Sequence, residues 1–439
     1  MFKRFFKSAK LILSNTTLLR RIAITLLILF VFKLGTFIPV PLVDIRPIRE
    51  ALAQNDFLGL LNTFSGGGLN QFSILALGIS PYITASIVVQ LLQLVIPKLK
   101  EVANEGEVGK KKLNRVTRYV SVFLAFIQAL ALLLSLDPTK SGNLFNENFF
   151  IHPNMYVLYY IFVALVITAG SCFTIWIADL ITQYGIGNGS SLIIGAGIIT
   201  QIPIMVLELN ELYLTDATTK SVISYIIILL LYVLIILGVV FLEATVRKIP
   251  VQYANRSGKS DSNIPIKLNS SGVMPVIFAS TIMSIPLTII GLTSSGNSKG
   301  FGYWMDQTFN TTYPIGMIVY ILLIYVFSFF YAFMQLDPGK VSENLQKSNA
   351  FVPAVRPGQE TENYISRVLF KVTLIGATYL AVLAMVPIIV SKIFHFPAES
   401  ANIITIGGTG LLIVVGVAVE TMKQLEVQAT EQTYSGFIE

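Results

Sequence analysis

The 439 residues are 54% hydrophobic and only 13% charged, where a soluble domain carries roughly 25% charged residues; water is not the main solvent of this chain. The net charge of +7 is mostly a product of membrane orientation rather than a mark of a nucleic-acid partner, because the basic residues alternate between successive loops. One cysteine, Cys172, excludes an intrachain disulfide, and His152 and His395 lie far apart, so no metal or cofactor is expected.

From the start, Met1 to Arg21 is basic and runs into an apolar stretch ending in Phe37-Ile38-Pro39-Val40-Pro41 rather than at a small-residue cleavage site, so the first span is expected to stay. Apolar segments lie at about 22–39, 74–96, 116–136, 154–176, 189–208, 221–243, 271–292, 314–335, 368–390 and 402–421, each near the ~20 residues that cross a bilayer. This predicts an all-α polytopic membrane protein with ten transmembrane helices. Residues 1–439 are read as a single membrane domain, since helices in lipid need no separate cores. Lys and Arg number six in residues 1–21, seven in 97–118, and five in each of 244–270 and 336–371. The opposite loops carry only Arg46, Arg49, Lys140, Lys220, Lys299 and Lys392. The bias puts both ends in the cytoplasm, the tail 422–439 included. Loops 97–118, 244–270 and 336–368 are longer than helix connections require; docking surfaces and solvated topology signals are equally open readings.

Residues 57–73 are too short to span and break at Gly66–Gly68. Irregular backbone at membrane depth has to line a cavity or be buried in protein, so a re-entrant piece here implies a cavity; an ordinary outside loop is the alternative. Along 74–96, residues Ile79, Ile83, Ser86, Gln90 and Gln93 share one helix face, apolar at the middle and polar toward the cytoplasm. Lipid-facing amides are costly, and the simplest geometry is a wet vestibule narrowing to an apolar collar that blocks ions by dewetting. For an isolated stripe, amides bonded to a neighbouring helix and isoleucines as packing are the simpler reading.

Catalysis is not expected: no nucleophile and base, and no paired acids, occur at membrane depth, since Asp179, Glu208, Glu243 and Glu420 lie near span ends. Ser257-Gly258-Lys259-Ser260 imitates the end of a phosphate loop, but Tyr253 stands where that motif requires glycine. An ion-coupled secondary transporter is the rival reading, weakened by the missing mid-membrane acids. Lys33 is close enough to the end of the first segment to snorkel and is given no role.

Four strings carry a resemblance: Leu77-Gly78-Ile79-Ser80-Pro81-Tyr82-Ile83-Thr84-Ala85-Ser86, Tyr184-Gly185-Ile186-Gly187-Asn188-Gly189, Pro265-Ile266-Lys267-Leu268-Asn269 through Pro275, and Phe351-Val352-Pro353-Ala354-Val355-Arg356-Pro357-Gly358. In this order and spacing the chain resembles the SecY family, the channel subunit of the bacterial protein-export translocon, from about residue 15 to 425. The resemblance implies two pseudo-symmetric five-helix halves, 22–209 and 221–421, with a pore between them and a side gate to lipid. It implies a pore ring of Ile79, Ile83, Ile194, Ile277 and Ile413. It also implies a plug at about 57–73, with Leu60, Leu61, Asn62, Thr63, Phe64, Ser65, Gly66, Gly67 and Gly68. Lateral-gate contacts would be Thr84, Ser86, Gln90 and Asn269. The motor ATPase SecA or the ribosome would dock at Arg356, Arg256, Arg247 and Lys248, on the loops 244–270 and 336–368. The implied partners also include the small membrane subunits SecE and SecG, signal peptides, unfolded preproteins and membrane lipid, in the bacterial plasma membrane. The chain departs from the family at Ser190, where isoleucine is usual, at Ala354, where glycine is usual, and at Asn255, where lysine is common.

Overall fold

Each of the ten apolar segments carries a helix in the computed structural model, which describes residues 15–41, 43, 45, 48, 56–135, 156–214, 219–253, 262–293, 301–311, 313–393 and 398–435. Helix α1 (Thr16–Gly35) starts where the Asn15 side chain accepts the Thr17 amide at 3.1 Å, satisfying one of the first-turn donors. A short helix α2 (Asp56–Phe64) follows. Then come α3 (Ser80–Val95), α4 (Pro97–Asn104), α5 (Glu107–Ser135), α6 (Tyr156–Tyr184) and α7 (Gly189–Leu214).

The second apolar segment is the one the structure redraws. The apolar run covers 74–96, yet residues 74–79 are turns and the helix begins only at Ser80, with Pro81 in its first turn, where a missing amide proton costs nothing. At the other end Pro97 bars Ile96 from helical backbone; Ile96 is extended, and α3 and α4 diverge by 103°.

Beyond α7 come α8 (Thr219–Ala244), α9 (Met274–Thr293), α10 (Phe301–Phe309), α11 (Pro314–Gln335), α12 (Pro338–Lys347), α13 (Gln359–Ile393) and α14 (Ala398–Ser435). Among the described residues, six helices are long and apolar enough to cross a membrane unaided, or seven if the bent pair α3 and α4 counts as one. Helix α1 carries Arg20, Arg21 and Lys33 within its 20 residues.

In the first group α3 packs on α5, α5 on α6, and α6 on both α7 and α1; in the second α9 packs on α11, α11 on α13, α13 on α14, and α8 on α14 and α13. The two groups touch along α7 and α14 on one side and where α9 meets α3 and α5 on the other. One large apolar core runs across both groups.

The expectation of helices alone needs one addition. Strands β1 (Val246–Tyr253), β2 (Ser262–Lys267) and β3 (Ala350–Phe351) form an antiparallel sheet of order β2-β1-β3. β1 pairs with β2 from Val246 opposite Lys267 to Val251 opposite Ser262, and with β3 at Gln252 opposite Phe351. The two long basic loops are thus stitched together. Ile249 and Val251 alternate inward on β1, and Ile249, Ile266 and Val352 pack on Ala332 of α11 and on Leu369 and Val372 of α13. Burying this alternate face fixes the register.

Candidate functional site

The five isoleucines of the proposed collar come from four helices or their edges and are all buried in the large core, between 0% and 5% exposed. Ile79 is the residue just before α3, Ile83 lies one turn into α3, and Ile194, Ile277 and Ile413 belong to α7, α9 and α14. Above them opens a cavity of about 520 Å³ whose wall includes Ile83, Ile194 and Ile277 together with Ser86, Gln90, Asn269, Glu243 and Lys267. Polar and aliphatic side chains thus share the wall of one cavity.

Helix α2 packs on α7, α9 and α14, the helices that carry three of the isoleucines, and Phe64 at its end joins the same core. Its backbone includes Leu60 and Leu61; Asn62, Thr63, Phe64 and Ser65 are buried. The turn after it is closed by backbone bonds: Ser65 N to Leu61 O at 2.9 Å, Gly67 N to Asn62 O at 2.8 Å and Ser73 N from beyond the turn to Gly68 O at 2.8 Å. Gly66 and Gly67 have φ of +69° and +86°, backbone that side chains resist. A methyl group on Gly66 would also stand 3.1 Å from the Gly197 Cα of α7. The chain returns by a bridge between Pro39 and Ser73, and residues 62–65, Leu69, Phe72 and Ser73 are buried against protein.

The four residues expected at the gate face different partners. Gln90 Nε2 donates to Ser86 Oγ at 3.0 Å on the same helix, and Gln90 Oε1 accepts from the Tyr331 hydroxyl of α11. Thr84 turns toward α5: its hydroxyl donates to the Ser80 carbonyl at 3.1 Å and accepts from Gln128 Nε2 at 3.5 Å. Asn269 Nδ2 donates to Glu243 Oε1 at 2.9 Å, and Lys423 of α14 donates to the Glu243 carbonyl and lies 3.4 Å from its carboxylate. Gln90 and Asn269 thus share a cavity without bonding to each other. Between α9 and α11, the Phe278 ring stands edge-on to Tyr331 with centroids 5.1 Å apart. A second cavity of about 1150 Å³ lies outside this seam, between α3 with α4 and α5 on one wall and α11 with α12 on the other.

Tyr331, Glu243, Lys423, Lys33 and Thr200 escaped the sequence reading as site residues. Tyr331 is one tyrosine in an aromatic-rich apolar helix, and nothing local marks its partner on α3. Asp179 is paired with Arg118 of α5 at 2.8 Å.

On the basic face, Arg247 and Lys248 are exposed on β1 and Arg356 is exposed after β3, where the Arg356 carbonyl accepts the Thr361 hydroxyl at 2.8 Å. On α12 the Lys347 ammonium, 2.7 Å from Glu343, holds that carboxyl below the usual carboxylate range. Arg256, Asn255, His152 and His395 lie outside the described residues. Ser190 sits in the first turn of α7, bonded through its amide and hydroxyl to Asn188 Oδ1 at 3.1 and 2.6 Å. Ile194, one turn further in, joins the large core together with its helix neighbours Ile193 and Ile198.

Comparison with known proteins matches the family model described as SecY to residues 73–422. The protein translocase subunit SecY of Halalkalibacterium halodurans is 45% identical over 434 residues, covering 95% of this chain and 96% of that protein. Its counterpart in Staphylococcus aureus is 41% identical over 425 residues, with coverage of 95% and 96%. Among solved structures, that of a protein conducting channel superposes with a TM-score of 0.64 at 18% identity, covering 95% of this chain and 93% of that one. Sec61 in the canine ribosome-channel complex gives 0.61 at 18% identity, with coverage of 95% and 93%. At such identities these structures speak for the fold alone.

Proposed function

This chain belongs to the SecY family of protein translocase subunits, and from that membership we infer that it is a protein-conducting channel in which residues 57–73 are the plug and Ile79, Ile83, Ile194, Ile277 and Ile413 are the constriction. An unfolded polypeptide varies in side-chain size, so its passage needs a compliant gasket rather than a rigid filter. Aliphatic side chains provide one, and a dry collar of this kind stops ions between clients. The observation that carries the reading is that α2 packs on the three helices holding Ile194, Ile277 and Ile413, with Phe64 in their core.

The two five-helix groups are the halves of a clamshell, divided at about 209–221. The seam of α3 against α9 and α11, with Ser86, Gln90 and Asn269 on the cavity wall, is its side gate; Thr84 supports α3 from the α5 side. Apolar client segments leave through this seam because lipid solvates them better than the wet vestibule does. The chain is driven from outside: SecA or the ribosome docks on the stitched basic loops at Arg247, Lys248, Arg256 and Arg356, and SecE and SecG complete the complex. This places the loops and both ends on the cytoplasmic side of a bacterial plasma membrane, in keeping with the distribution of Lys and Arg.

Changing Ile83 and Ile277 together to Ser puts two hydroxyls into the collar. Planar-bilayer recordings are expected to show a raised resting ion conductance for I83S/I277S. A conductance equal to that of the parent, in protein assembled at parental yield, overturns the assignment of the ring.

A further inference from the structure

Lys33 lies in the last turns of α1, from where its ammonium has the length to reach interfacial water. It turns inward instead. Half-buried, the ammonium donates to the Gly66 carbonyl at 2.8 Å and to Thr200 Oγ1 of α7 at 3.1 Å, and it lies 5.2 Å from the centre of the Phe37 ring. Desolvating an ammonium is costly unless its partners are good, and bonds from a charged donor are among the stronger ones in proteins.

The acceptors are prepared for it. The Thr200 hydroxyl spends its proton on the Gly197 carbonyl at 2.8 Å, which leaves its lone pairs to the ammonium. The turn after α2 uses Leu61, Asn62 and Thr63 carbonyls for its own backbone bonds, whereas the Gly66 carbonyl goes to Lys33. A cation at this C-terminal end also suits the helix dipole. Gly66 faces Gly197 on α7, and a methyl group on Gly67 would run into Gln201 Nε2. One face of α7, bearing Gly197, Thr200 and Gln201, is therefore a seat for the Gly66–Gly67 turn, and Lys33 straps the turn into it from α1.

We propose that Lys33 is a positioning residue of the channel, a clasp anchored on Thr200 of α7 that holds the plug in its closed seat and must release its bond to the Gly66 carbonyl when the plug moves. This rests on the reading of residues 57–73 as the plug.

The test compares the full chain with K33M, K33R and T200V, by amide hydrogen exchange and by resting conductance in planar bilayers. In K33M the peptides covering 57–73 are expected to exchange about tenfold faster, the factor that goes with losing a hydrogen bond to a charged group. Peptides from α5 and α13 should not change, and resting conductance should rise. K33R keeps a donor and is expected to restore much of the protection. Unchanged exchange in 57–73 of K33M overturns the clasp. Faster exchange with parental conductance upholds the clasp and overturns the reading of the segment as a seal. Should K33M not assemble, T200V decides: it keeps the cation and the Gly66 bond, so a smaller acceleration confined to 57–73 supports the proposal, and none overturns it.

Discussion

Ala354 has a φ of +65°, where a Cβ costs about 1 kcal/mol or more. The motif resemblance expects glycine at this place, and the backbone gives the reason. The chain needs a left-handed residue to turn from β3 toward the exposed Arg356, and this protein makes the turn with a strained alanine. A354G is expected to raise the melting temperature of the purified protein, by relief on the order of 1 kcal/mol; a lowered one would mean that the lost backbone restriction outweighs the strain. At this scale the sequence is legible where a residue's chemistry is local, as with the glycines at 66–68. It is illegible where the chemistry is a distant partner. Lys33 reads as a snorkelling cation and becomes a bond donor only because Gly66 and Thr200 are folded beside it. Gln90 reads as a gate amide, but its bond to Tyr331 spans 241 residues.

Helix α7 shows how an element acquires a second duty. Its apolar run predicts a span, yet the face at Gly197 is stripped of side chain where α2 and its turn approach. A Cβ there would lie 3.0 Å from the Gly66 Cα and 3.2 Å from the Thr63 carbonyl, both backbone atoms of the 57–73 segment. G197V should leave α7 helical, since replacing glycine removes a helix-weakening residue, while pushing the turn off its seat. The expected outcome is a raised resting conductance at normal yield of folded protein; parental conductance would mean that the seat adjusts. The bend between α3 and α4 was foreshadowed by Pro97. The late start of α3 was not, because residues 74–79 are as apolar as the helix they precede and owe their turns to the bridge with residues 38–40.

For the whole molecule, the pairing of β1 with β3 joins segments about a hundred residues apart into one basic face standing on α11 and α13. If a partner docks there as proposed, its pull would act on two helices of the same group, one of which borders the seam. R356E is expected to lower SecA-driven export roughly tenfold through charge reversal at the contact, with membrane assembly kept; equal loss of both would make the residue structural. The solvent, the ten apolar segments, the loop charge asymmetry and, through four short motifs, the family were all legible along the chain. Each of these is carried by composition or by residues close together along the chain. It took the folded chain to show that the short helix α2 packs on the helices of Ile194, Ile277 and Ile413, that Gln90 bonds to Tyr331 while Asn269 bonds to Glu243, that two basic loops form one sheet and that Lys33 turns inward. Those are contacts between residues far apart in the chain, and hydropathy and spacing hold no information about which distant backbone will come within hydrogen-bond reach.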